Sequence, residues 1–103
     1  MRTLARFTLD VAAANETIRA GSLAPMIENS LASLNPEAAY FYADGGKRTA
    51  IVIFDMKSPS DIPVVAEPWF MAANATVEFF PVMTADELKT GLQRLAERDL
   101  APA

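Results

Sequence analysis

AAYFYADGGKRTAIVIFDM, residues 38–56, decides the fold. Two apolar runs flank Asp44-Gly45-Gly46-Lys47, where adjacent glycines supply the positive φ that a tight strand reversal needs. The stretch therefore reads as a β-hairpin. On its first strand Ala38, Tyr40 and Tyr42 face one way and Ala39, Phe41 and Ala43 the other; on its second, Ala50, Val52, Phe54 and Met56 alternate with Thr49, Ile51 and Ile53. A sheet wet on one side alternates apolar with polar residues, and these strands do not, so both faces call for a cover.

Before the hairpin, residues 3–9 read as a strand with Thr3, Ala5, Phe7 and Leu9 on one face and Leu4, Arg6 and Thr8 on a more polar one. Residues 10–15 read as a loop or first helical turn, and residues 16–20 as a short helix interrupted at Gly21-Ser22. Ser22 suits an N-cap with Pro25 in the first turn, and Leu23, Met26, Ile27, Leu31 and Leu34 then form one apolar helical stripe that Asn35-Pro36 ends. After the hairpin, Ser60 or Asp61 can cap a helix with the stripe Ile62, Val65, Ala66 and Trp69. Pro68 predicts a kink or break near Glu67. Residues 75–83 read as a last strand, which by Pro81 lies at an edge or stops there. Thr84-Ala85-Asp86-Glu87 has capping-box spacing and opens a helix with Leu88, Leu92 and Leu95, running to about Arg98; residues 99–103 read as a frayed tail.

The order strand, helix, strand, strand, helix, strand, helix is that of an α+β, ferredoxin-like split βαβ (βαββαβ) domain with an added C-terminal helix. Its two main helices cover one face of a four-stranded antiparallel sheet. The other face, apolar as well, predicts a homodimer packed sheet against sheet.

Composition excludes whole classes of function. At 103 residues the chain is one domain; it is 51% hydrophobic and 21% charged, with a net charge of −4. Without a Lys/Arg cluster it suits neither nucleic acid nor an anionic membrane. It holds no Cys and no His. Thiolate and Ser-His-Asp chemistry, iron–sulfur clusters and Cys/His metal sites are therefore ruled out within the chain, and no carboxylate loop suggests an all-oxygen metal site. No cofactor is called for. The absence of a signal-peptide pattern, and of any apolar run near the roughly 18 residues of a membrane span, makes the cytoplasm the expected compartment.

The hairpin followed by FDMKSPSDIP (54–63), a helix ending in EPWFMAANA (67–75) and the strand TVEFFPVM (76–83) resembles the dimeric α/β-barrel superfamily, and within it is similar to muconolactone isomerase and small bacterial relatives. The resemblance implies a ligand pocket between helices and sheet in each subunit. It embraces cofactor-free monooxygenases, isomerases, dechlorinating and heme-degrading enzymes, and members without activity; heme-binding members commonly use a His ligand, which this chain lacks.

Six residues stand out as site candidates. Arg6 and Glu78 are the charges within strand bodies, and side by side they suit a general base with a cation holding an enolate or carboxylate. They equally suit a salt bridge in a dimer interface. Tyr40 and Tyr42 share a hairpin face, where a phenol can donate to a substrate oxygen or simply pack across strands. Trp69 and Phe70, beside the expected helix break, are placed either at a pocket mouth or in the core. Asp10, Asp55 and Asp61 read as strand-end and cap carboxylates. The function expected is a homodimer binding a small apolar, aromatic or lactone-like metabolite, with metal-free isomerisation or cofactor-free oxygenation as its chemistry. The alternative is a non-catalytic dimerisation or ligand-sensing module.

Overall fold

The computed structural model describes residues 1–99. Its elements are β1 (Arg2–Thr8), α1 (Val11–Arg19), α2 (Leu23–Leu34), β2 (Ala38–Asp44), β3 (Lys47–Asp55), α3 (Asp61–Ala73), β4 (Thr76–Pro81) and α4 (Ala85–Asp99). The four strands form one antiparallel sheet in the order β2-β3-β1-β4, a ferredoxin-like split βαβ arrangement. At the hairpin turn Gly45 (φ 59°) and Gly46 (φ 78°) are both left-handed, as a two-residue loop matched to strand twist requires. β4 lies at an edge and ends at Pro81, where a missing N–H costs the ladder nothing.

One sheet face makes the core. Ala5, Phe7, Ala50, Val52 and Phe54 are buried beneath Leu23 of α2 and Val65, Trp69 and Ala73 of α3. Trp69 stacks on Phe7 with ring centroids 4.1 Å apart and planes 20° from parallel. Met26, Ile27, Leu31 and Leu34, the stripe legible in the sequence, pack partly buried against this cluster.

Several local expectations are corrected. Of the loop or first helical turn read for residues 10–15, the structure has the helix: α1 begins at Val11, because the Asp10 carboxylate accepts from Ala13 N at 3.0 Å and caps a full first turn. Neither Ser22 nor Ser60 caps through its side chain; the Ser22 hydroxyl turns back to the Thr17 carbonyl at 3.4 Å. α3 runs through Pro68 as one helix. Val65 and Ala66 before the proline and Trp69 and Ala73 after it are all buried, so both halves are held on the same sheet face, and this packing outweighs the lost hydrogen bond. The tail read as frayed from residue 99 falls, beyond that residue, outside the described chain.

Candidate functional site

The open sheet face brings four of the six candidate residues together. The ladder aligns Tyr40, Ile51, Arg6 and Glu78 in one row across all four strands, with Ala38, Ile53, Leu4 and Phe80 in the next row and Tyr42, Thr49, Thr8 and Thr76 on the other side. Residues directly opposite in a ladder share a face, so all twelve belong to the side away from the helices. Tyr40 is 67% exposed, and Tyr42 and Phe80 about two-fifths so.

Within this apolar field sits one ion pair. Arg6 Nε and Nη2 donate to Glu78 Oε1 at 3.0 and 2.9 Å, and the guanidinium lies 5.6 Å from the centroid of the Phe80 ring. The hydrogen bonds to Glu78, and then its charge, raise the Arg6 pKa above the ordinary guanidinium value. A side-by-side placement of these residues was legible from strand order alone.

Trp69 and Phe70 lie on the opposite side of the sheet from that pair. Trp69 is a core residue, and Phe70 is a partly exposed residue on α3, so the two do not flank a helix break. A cleft of about 350 Å³ lies between helices and sheet, its apolar wall made by Leu9, Leu23, Ile27, Phe41, Ala50 and Trp69; Arg48, Thr49 and, of the open-face candidates, Tyr42 also line it. Arg48 is held there by donating to Asn15 Oδ1 at 3.0 Å. A second, wider cleft of about 650 Å³ separates α2 from α3, its apolar wall made by Met26, Leu34, Phe54, Val64, Val65 and Pro68, with serines, Asn29, Lys57 and Asp61 also lining it. Neither cleft takes in Arg6, Glu78 or Tyr40.

A pocket between helices and sheet was expected from the resemblance, and Trp69 and Tyr42 of its lining were site candidates; the other lining residues, and the cleft between α2 and α3, were not read from the sequence. Leu9, Leu23 and Ile27 look there like any core residues, whereas Ser22, Asn29, Ser30 and Ser33 recur at helical spacing beside the α2 stripe, a signal that marks a polar flank of that helix. Among the described residues no three His, Cys, Asp or Glu side chains converge to hold a metal ion. No described helix is long and apolar enough to cross a membrane.

No family model and no curated protein matches the chain. Among solved structures it is similar to a formyltetrahydrofolate deformylase from Pseudomonas putida KT2440, at 10% identity and a TM-score of 0.48; the likeness covers 95% of this chain and 38% of that one. The chain thus spans little more than a third of that enzyme's length.

Proposed function

We propose that this chain is a homodimer-forming, ligand-binding module: the open sheet face is buried against a second copy, and the cleft lined by Trp69 takes a compact apolar metabolite. The observation that carries the reading is the placement of Arg6 and Glu78. They sit on the open face, while the apolar cleft lies on the helix side, so a ligand in the cleft is separated from the pair by the sheet. The pair then serves association, and the non-catalytic reading is favoured over isomerisation or oxygenation with Glu78 as base. A cleft of this volume, with an apolar wall and few polar groups, is of a size for a small aromatic or lactone-like compound. Kinship with the dimeric α/β barrels, and with muconolactone isomerase among them, belongs to this proposal and is supported by the strand order β2-β3-β1-β4; so does a cytoplasmic location.

Trp69 is the chain's one tryptophan, which makes the cleft its own reporter. Titration with small phenols and aromatic lactones should change Trp69 emission saturably, and Ile27→Trp, which fills the cleft, should abolish the binding measured by calorimetry. Saturable binding that survives Ile27→Trp but is lost in Arg6→Ala or Glu78→Gln would instead place the ligand on the open face and restore the catalytic reading.

A further inference from the structure

The last helix is fixed at its start and exposed from residue 85 to residue 98. Thr84 N donates to Glu87 Oε1 at 2.8 Å and Glu87 N to Thr84 Oγ1 at 3.1 Å, closing the capping box. Arg2 Nη1 donates to the same Glu87 oxygen at 2.9 Å, and Val82 N donates to the Arg2 carbonyl at 3.2 Å. The short connection from β4 is therefore tied to the end of β1, and it sets the direction in which α4 leaves.

That direction is away from the body. The molecule measures 66 by 28 by 19 Å with a radius of gyration of 17.5 Å, against roughly 13 Å for a compact domain of this length. Leu88, Leu92 and Leu95 share one helix face yet remain 47%, 55% and 41% exposed. Gly91, one turn from both Leu88 and Leu95, has nothing within 4 Å of where a Cβ would stand, so the helix backbone can approach another surface closely there. A lone helix of this length is marginal in water, and an apolar stripe is what normally stabilises one by packing.

The same chain leaves one sheet face of matching length open, in which apolar residues are grouped beside Arg2, Arg6 and Thr8 of β1. α4 spans about 22 Å, and β1, which runs along the middle of the open face, about 23 Å. Leu4, Ile51 and Ile53 line the two central strands of that face, with Tyr40 and Phe80 at its edges. The wide cleft between α2 and α3 mixes serines, Asn29, Lys57 and Asp61 with Pro25, Met26, Leu34, Val64, Val65 and Pro68.

We infer that α4 is an exchanged arm: the Leu88, Leu92 and Leu95 stripe of each chain lies on the open sheet face of a second copy. This rests on the homodimer reading above and names the part of the second copy that covers the face, replacing the sheet-on-sheet contact read from sequence. Each chain carries one arm and one face, so reciprocal exchange about a two-fold axis satisfies both and closes. A stable protein pair needs such contacts to bury roughly 1,200–2,000 Å² together. Asp86, Lys89, Arg94 and Glu97 stay on the side of the helix away from the stripe.

The absence of Cys makes a single introduced thiol a clean probe of the contact. Full-length Leu92→Cys and Ile51→Cys proteins, mixed, exchanged and mildly oxidised, should give a covalent pair containing one chain of each kind, well above self-pairing of either. Ile51→Cys pairing with itself alone would overturn the arm while leaving the homodimer intact, and a chain that sediments as a monomer with no covalent pair would overturn both. The full-length triple variant Leu88→Lys, Leu92→Lys, Leu95→Lys should weaken dimerisation by about a hundredfold or more while far-UV circular dichroism shows the sheet retained. An unchanged dissociation constant would refute the exchange.

Discussion

Replacing Trp69 by Phe isolates one peculiarity of the core. The indole is 1% exposed and stacked on Phe7, yet its Nε1 is buried with no hydrogen-bond partner. A buried donor left unpaired costs about 1–3 kcal/mol. Phe keeps the stacked ring and removes that donor, but it vacates roughly 40 Å³, worth about 1 kcal/mol at ~24 cal/mol per Å³ of cavity, and forfeits a further ~0.5–1 kcal/mol of burial. The two effects nearly cancel, so Trp69→Phe should change stability by less than about 1 kcal/mol, whereas Trp69→Ala should lose about 3–5 kcal/mol. Urea unfolding followed by far-UV circular dichroism measures both without relying on the tryptophan. A loss above about 2 kcal/mol for Trp69→Phe with unchanged denaturant slope would mean that the N–H is satisfied in solution and contributes to stability.

Three further outcomes are expected. Phe7→Ala removes the other half of the stack beneath α3 and should cost about 3–5 kcal/mol in the same unfolding assay. On the proposed burial of the open face by a second copy, Glu78→Ala strands Arg6 in that contact and should weaken dimerisation about tenfold or more by analytical ultracentrifugation, with the swap Arg6→Glu, Glu78→Arg recovering most of it; a dimer indifferent to both would remove the pair from the interface. The Glu87 carboxyl is held below its usual range, first by the Thr84 backbone N–H, then by the Thr84 hydroxyl and Arg2. A depressed folded pKa gives stability that is present above the unfolded value near 4.3 and is lost as pH falls through the folded one. The melting-temperature gap between the native chain and Glu87→Gln should therefore be constant at neutral pH and close below about pH 4; a gap unchanged into acid would contradict this.

What could be read from the sequence, and what could not, divides by the range of the forces involved. The hairpin, the strand alternation of Ala5, Phe7 and Leu9, the α2 stripe and the Thr84–Glu87 capping box are local patterns, and each appears where local chemistry places it. The adjacency of Arg6 and Glu78 followed because strand order alone put β1 beside β4. Of the kink or break expected at Pro68, the break is absent because the penalty the proline imposes is local while the burial of Val65 and Trp69 on either side is not. Asp10 was read as a cap and residues 10–15 as a loop or first helical turn, and the helical alternative is the one the structure has. Nor was the separation of Trp69 from Tyr40 by the thickness of the sheet visible, since one lies on a helix and the other on a strand, and no periodicity relates them. The detachment of α4 was equally hidden: three leucines on a polar helix look alike whether the surface they need belongs to the same chain or to another.

The central claim, that the open sheet face is buried by a second copy, is tested most directly by sedimentation equilibrium of the full chain at micromolar concentration. The account predicts a species of twice the 11.2 kDa protomer mass, dissociating when Ile51→Lys places a charge in the middle of the face. A native chain that sediments at the protomer mass across that range would contradict it.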